Sequence, residues 1–540
     1  MTGDDPDDVA PRPAAPAEQA SGPELDPDPD RPTDGATDAD AGDVADDDAA
    51  DDDADDLTDG SDAAPVSGPP PVEPPPLPAS RARVEAEAGS LLAGLVERRA
   101  GEQVVVLVVD EHGREVIAHD ADVPVLPAST LKIVTAAAAL ITFGPQARFT
   151  TRVEATAPID GDGVLRGDLL LIGTGDPVLA TPEYGRWIYP ARPRTPFEDL
   201  AEQLAAAGLV RVEGDVVGVV ERFDGPTVAT GWPDRYFNDF DTRFADGLSV
   251  DAGVRTIVIE QEPEPVEEGE GDAEGEEPEE VPPPGPPIVR IEHTREPAQH
   301  AVAELIRLLS ERDVEVAGEG LVGTPTQPTV GRFASVSSPP LEEILRFAVQ
   351  RSDNQMTDAV FRAVGRQRTG VGSFASGERA LLQVLDQLGI DVAGATFADG
   401  SGLSRDDRAT ARLLVDLDLA MRASHHASTW TSLMAVMGES GTLRNRLSGT
   451  VASGRFVGKT GTLRDVSALT GAVVAADGRR YHLAVIANAD GQARWLARTF
   501  VDELIILLAA DLRDCDIVAV GELSDAAEGA LGRPPVRVRC

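Results

Sequence analysis

Lysine is almost missing from this chain. Across 540 residues there are two, Lys132 and Lys459, against 45 arginines. A composition that turns basic positions into arginine wherever arginine will serve marks the two exceptions as informative. A guanidinium stays charged at any physiological pH, whereas a partly buried ammonium can lose its proton and act as a base. Cysteine is as scarce. Cys515 and Cys540 cannot make a disulfide framework or a C-x-x-C metal signature, and whether they pair with each other is left open. The seven histidines show no H-E-x-x-H or other ligand spacing, so neither a metal nor a cofactor is expected. Long apolar runs are lacking too. The longest, near 104–109 and 504–510, are far too short to cross a bilayer. The sequence opens Met1-Thr2-Gly3-Asp4-Asp5, with no basic segment leading into an apolar one, so no export signal is visible.

Positive charge is outnumbered, with a formal net charge of −47, but the excess is uneven. Residues 1–80 hold 24 acidic and 2 basic side chains, and residues 260–280 hold 12 acidic and none basic. Outside them the net is −13, that of a mildly acidic globular body with two acidic appendages. Phosphate backbones would be repelled, so nucleic acid is not an expected partner. Residues 1–80 are Asp, Ala, Pro and Gly with almost no aliphatic side chains, and are expected to be disordered. The stretch 260–289, ending in a Pro-rich run, is expected to be an acidic disordered loop excluded from any core.

Between the appendages the patterns change. Ala82–Arg99 repeats apolar residues at helical spacing, and Val104–Val109 reads as a buried strand turned by His112-Gly113 into a second strand, Glu115–His119. A helix is expected from about Ser129 to Leu140. The middle, 151–329, is strand-rich with helices near Phe197–Ala207 and Ala298–Arg312. Helices return at Leu341–Gln350 and Met356–Arg366. The chain then reads strand (Gly454–Thr462), strand (Ser467–Ala476), strand (Tyr481–Asn488) and helix (Ala493–Leu512). The first two and last three strands would share one antiparallel sheet. Residues 81–150 and 330–540 would then build one domain, with 151–329 inserted into it.

Three short motifs carry chemistry. Ser129-Thr130-Leu131-Lys132 places a hydroxyl and an amine on one face of a helix start, three residues apart, where free N–H groups favour a developing oxyanion. Ser352-Asp353-Asn354 interrupts two helical stretches, as turn-forming residues do. Lys459-Thr460-Gly461-Thr462 puts a cation and hydroxyls on a strand, a pattern suited to a carboxylate, with Gly461 allowing a ligand backbone to come close. Each alone is weak: an accidental tetrapeptide, a helix cap, a strand. Their order, S-x-x-K then S-D-N then K-T-G, is the set of the penicillin-binding proteins and class A β-lactamases. The 223 residues from Ser129 to Ser352 separate the two groups, because a β-lactamase has a much shorter first interval.

The chain therefore resembles the low-molecular-mass class C penicillin-binding proteins, the serine D-Ala-D-Ala carboxypeptidase/endopeptidase family, from about residue 81 to 512. Gly173-Thr174-Gly175-Asp176-Pro177, Gly231-Trp232-Pro233, Asp399-Gly400-Ser401-Gly402-Leu403-Ser404-Arg405 and Gly441-Thr442-Leu443 resemble it in the same order. The resemblance implies an α+β fold: a five-stranded antiparallel sheet flanked by helices, with a large inserted strand-rich domain. It implies peptidoglycan stem peptides as substrate and β-lactam antibiotics as ligands. By the same resemblance Ser129 would be acylated, Lys132 would take its proton, Ser352 would relay a proton to the leaving amine, and Asn354 would hold the substrate amide. Lys459, Thr460 and Thr462 would bind the terminal carboxylate, and the N–H groups of Ser129 and Thr462 would form the oxyanion hole. Arg405 would meet a carboxylate on the substrate side chain, and Asp234 or Asp239 its distal amine. Asp176 is expected to hold a turn.

Two rivals stand beside this reading: a β-lactamase, and a wall-binding protein that keeps the fold without chemistry. The G-x-G-x-x-G at Gly318–Gly323 lacks the strand-to-helix context of a nucleotide site and is set aside. Peptidoglycan lies outside the membrane, so the protein is expected in the periplasm or cell wall, with an apolar export segment encoded upstream.

Overall fold

The computed structural model describes residues 79–98 and 103–511, apart from 189, 221, 239–241, 245, 260–286 and 490, together with two short strands, Asp516–Ala519 and Val536–Arg539. The expectations for residues 1–78, for Asp239, for most of the acidic stretch and for Cys515 and Cys540 lie outside the described residues. The last residues of that stretch are ordered: Ile288 and Val289 open a strand, Ile288–His293, that pairs with Val254–Ile259.

Both ends of the chain meet in one antiparallel sheet. Its strands are β1 (Gln103–Asp110), β2 (Glu115–His119), β3 (Ala435–Val436), β4 (Phe456–Leu463), β5 (Val466–Val474) and β6 (Arg480–Asn488), in the spatial order β3-β4-β5-β6-β1-β2. The expected five strands are all present. The sixth, β3, is a two-residue edge strand too short to leave a period-2 pattern in the sequence.

The unbroken Val104–Val109 run has a physical reason: both faces of the sheet are covered. Val105, Leu107 and Val109 point into a core with the helices α2 (Lys132–Phe143), α3 (Leu341–Arg351), α4 (Asn354–Thr369), α5 (Phe374–Gln387) and α6 (Ala411–Ala423). Val104, Val106 and Val108 point the other way, into a core closed by α1 (Ala79–Arg98) and α7 (Gly491–Ala509). Alternate residues of a strand face opposite sides, so a strand covered twice must be apolar throughout.

The middle of the chain has its own sheets and core. The chain leaves along Thr150–Ala155 and returns along Gly331–Ser337, and these two strands pair antiparallel. The five-stranded sheet they belong to continues through Leu169–Ile172, Val216–Val219 and Gly320–Val322, the last two joined in parallel. Helices Glu198–Ala206 and Pro297–Ser310 cover it. The return strand thus lies in the middle sheet. Two segments of this region, 190–196 and 223–232, reach back to the helices that carry Ser352 and to the loop after Asp399, and a third, 173–178, backs the first through Pro177.

Candidate active site

The cleft is built where the start of α2, the joint between α3 and α4, and strand β4 converge. Ala128–Leu131 form a 3₁₀ turn that runs directly into α2 at Lys132. Ser129 sits in that turn, half-buried, and Ala128 before it has a left-handed backbone, φ 49°. Lys132 and Lys459 are both fully buried. Lys132 Nζ lies 3.1 Å from Ser129 Oγ, 2.6 Å from Asn354 Oδ1 and 2.6 Å from the Ser401 carbonyl. Lys459 Nζ lies 2.9 Å from Ser352 Oγ and 2.7 Å from the Thr460 carbonyl. Thr460 Oγ1 is 2.8 Å from Thr442 Oγ1, on the 3₁₀ turn Gly441–Leu443. The structure thus brings together Ser129, Lys132, Ser352, Asn354, Lys459 and Thr460 from segments more than 300 residues apart.

The Ser352 joint combines two caps. Ser352 ends α3 with a left-handed backbone, φ 62°, a conformation that costs a non-glycine residue about 1–2 kcal/mol. Asp353 caps α4, its Oδ1 accepting the Met356 N–H at 2.9 Å. The helix cap is Asp353, and Ser352 before it stands 2.9 Å from Lys459 Nζ. The cap holds the turn, and the turn aims the Ser352 hydroxyl at Lys459.

Burial sets the electrostatics. Lys132 is lowered to about 8, first by desolvation, against which the carboxylates of Asp358, Asp399, Asp353 and Asp407 work in part. Lys459 is pushed well below the ordinary lysine range by burial and by the neighbouring charge of Lys132. Among the described residues both amines hydrogen-bond hydroxyl, amide and carbonyl oxygens, and neither forms an ion pair with a carboxylate.

Behind Lys132 stands a loop held by buried carboxylates. Asp399 Oδ1 accepts the N–H groups of Ser401 and Gly402, and Oδ2 accepts those of Ser404 and the Trp232 indole, the last at 2.6 Å. Asp358 Oδ1 accepts the Gly400 N–H. Burial and the Asp399 charge lift both Asp358 and Asp407 well above the carboxylate range. Their work is to fix the Ser401 carbonyl against Lys132. Gly402 is essential to the fit: at φ 82°, a Cβ there would stand 1.9 Å from the Ala128 carbonyl oxygen.

Five more of the expected residues have defined places. Gly461 does not leave room for a ligand, because a Cβ there would meet Pro127 O at 2.8 Å and Ala128 at 3.2 Å; its lack of a side chain lets β4 press against the Ser129 turn. Arg405 does not present a free guanidinium, since both of its terminal nitrogens reach the Asp465 carboxylate on the turn after β4. Asp234 is exposed at the start of the short helix Arg235–Asn238. Asp176 does hold a turn, accepting from the Val178 N–H and the Thr195 hydroxyl, and burial raises it to about 6. Thr462 is exposed on β4 beside the cleft. Sequence reasoning missed Arg192, the Ser401 carbonyl, Thr442 and the Trp232 indole as parts of the site. The last three lie inside stretches that signalled themselves by family pattern, and Arg192 lies in none.

A model of the D-Ala-D-Ala carboxypeptidase 3 (S13) family matches residues 90–275 and 280–505. The chain belongs to that family. It is 30% identical over 419 residues to a D-alanyl-D-alanine carboxypeptidase of Actinomadura sp. (strain R39), covering 69% of this chain and 75% of that one. It is 32% identical over 416 residues to the carboxypeptidase DacB of Mycolicibacterium smegmatis, covering 75% and 78%. Among solved structures, penicillin binding protein 4 from Haemophilus influenzae superposes with a TM-score of 0.63 at 21% identity, over 77% of this chain and 99% of that one, a likeness of fold.

Proposed function

We propose that this family member works as a serine-type D-Ala-D-Ala carboxypeptidase on peptidoglycan stem peptides, through an acyl-enzyme on Ser129. The observation that carries the reading is the hydrogen-bond set of Lys132. As a free amine it has two N–H groups and one lone pair. Asn354 Oδ1 and the Ser401 carbonyl, both at 2.6 Å, take the two N–H groups, and the lone pair is left for the Ser129 hydroxyl at 3.1 Å. Burial makes that free amine accessible near neutral pH.

Ser129 Oγ attacks the carbonyl of the penultimate D-alanine as its proton passes to Lys132. Strand β4 pairs with β5 along its whole length, but on its other edge β3 covers only Val457 and Gly458. The open edge beyond Lys459 suits a substrate laid alongside it as an added strand. The terminal carboxylate meets Lys459 and Thr460, supplying the anion that the buried amine lacks. The oxyanion would be held by the N–H groups of Ser129 and Thr462, a kind of contribution worth about 3 kcal/mol per donor. Ser352, 2.9 Å from Lys459 Nζ, passes a proton to the departing amine. Collapse expels D-alanine, and water then hydrolyses the ester. Replacing D-alanine by the amine of a D-Ala cross-bridge changes only the leaving group, so endopeptidase action belongs to the same chemistry.

The β-lactamase rival is not favoured by family. The wall-binding rival does not explain why two lysines are kept neutral-capable in a chain that otherwise uses arginine. The substrate lies outside the membrane, and the proposed location is extracytoplasmic; no helix among the described residues is long and apolar enough to cross a bilayer. Release of D-alanine from a stem pentapeptide tests the reading. It should occur with the purified protein and vanish in Ser129→Ala. Release that survives that substitution would refute it.

A further inference from the structure

We infer that Arg192, on a segment of the middle region, is a positioning residue for the reaction: it holds the Ser352–Asn354 turn through the Asp353 carboxylate. The inference rests on the proposed function. Its guanidinium is buried, with 4% of the side chain exposed, and both terminal nitrogens are committed inward. One donates to Asp353 Oδ2 at 2.9 Å. The other donates to Gln355 Oε1 at 2.9 Å and to the Pro177 carbonyl at 3.0 Å. Asp353 and Gln355 flank Asn354, so one planar group grips the residues on both sides of an Lys132 partner. Asp353 also follows Ser352, whose left-handed backbone would relax without restraint on its neighbours.

The clamp gives physical content to a stretch the sequence left without one. Pro177 closes Gly173-Thr174-Gly175-Asp176-Pro177, and Asp176 fastens Thr195, three residues beyond Arg192, with a 2.6 Å hydrogen bond. That loop is the anvil behind Arg192. Burial alone would push Asp353 up, yet Arg192 and Arg243 hold it below the usual carboxylate range, so the carboxylate stays charged and paired. A bland alternative exists: Arg192 merely staples two parts of the chain together. The two differ in what they move. A staple changes stability, whereas a positioning residue changes the chemical step at constant fold and substrate affinity, since displacement of a reacting group by about 1 Å costs on the order of 10²-fold.

The test uses the full chain and four variants: Arg192→Ala, Arg192→Lys, Asp353→Asn and the Arg192→Ala/Asp353→Asn pair. Steady-state kcat and KM on a D-Ala-D-Ala peptide, the rate of acylation by benzylpenicillin and the unfolding midpoint are measured for each. Arg192→Ala should lose about 10²-fold in kcat and acylation with KM changed less than about threefold. Arg192→Lys should recover roughly a tenfold share of that loss, because it keeps the charge but spans one partner instead of three. The pair should be no slower than its slower member, because both break one contact. Methylguanidinium at millimolar concentration should partly rescue Arg192→Ala, through the cavity of about 360 Å³ that Arg192 lines with Arg186, Trp187 and Arg194.

Wild-type kcat in Arg192→Ala overturns the inference, and so does an additive loss in the pair. If Arg192→Ala does not fold, Arg192→Lys decides alone: reduced kcat at an unchanged midpoint supports positioning, and unchanged kcat rejects it. A wild-type protein inert to both peptide and penicillin removes the proposed function first, an outcome separate from any comparison of variants.

Discussion

Lys132 does its proposed work only as a free amine, so its protonation should set the rate. With the amine at about 8, roughly 1% of the free protein carries it neutral at pH 6, about 10% at pH 7 and about 90% at pH 9. The second-order rate constant for acylation by a penicillin reports groups of the free protein. It should climb about tenfold per pH unit below 8 and level off above it. Lys132→Arg replaces the amine by a group that never deprotonates, at a position with no room for it, and should lose at least the 10²–10⁴-fold typical of a general base. The same burial has a stability signature. The folded value lies below the unfolded 10.5, so between about pH 8 and 10.5 the unfolded chain binds the proton more often. Stability should therefore rise with pH in that window, by roughly 3 kcal/mol for this residue. Urea unfolding at pH 8 and pH 10, compared between wild type and Lys132→Met, isolates the term. A flat acylation profile from pH 6 to 9, or an active Lys132→Arg, would refute the reasoning.

Other consequences are as concrete. Lys459 is depressed in the free protein, so binding a carboxylate ligand should draw in a proton; calorimetry in buffers of different ionisation enthalpy reads the uptake, and a proton count of zero would contradict it. Asp465→Asn should free Arg405 and raise kcat/KM several-fold for peptides with a side-chain carboxylate, without effect on peptides lacking one. Gly402→Ala should push the Ser129 turn aside and slow acylation while leaving the fold measurable by circular dichroism. Asp418, held at about 2 by His482 and Arg422 against its burial, accepts hydrogen bonds from both and from the Trp430 indole. Asp418→Ala should cost about 3–5 kcal/mol in chemical denaturation. In wild type that contribution is full above the unfolded value of 3.8 and should be lost as pH falls through about 2.

What the sequence revealed and what it hid divide along a physical line. Periodicity exposed β1, β2 and β4–β6 and the long helices because each buries a whole face, and a buried face repeats. The parallel pairings of the middle sheet left no such trace: Val216–Val219 and Gly320–Val322 are short, and nothing local says which strand lies beside which. In the site, residues that meet through short motifs were visible. Arg192 was not, because it meets Asp353 only across a 161-residue separation. Arg405 was visible but its ion pair was not, since its partner Asp465 is an unremarkable turn residue until β4 and β5 pair. Gly461 was read for ligand approach when the approach it permits is that of Pro127 and Ala128.

Intact-mass spectrometry after incubation with benzylpenicillin goes to the heart of the matter. One adduct should form per chain, map to the peptide containing Ser129, and be absent in Ser129→Ala. An adduct of equal yield in Ser129→Ala, or one mapped to a peptide without Ser129, would mean that the nucleophile is elsewhere and that the cleft joining residues 129, 132, 352 and 459 serves another purpose.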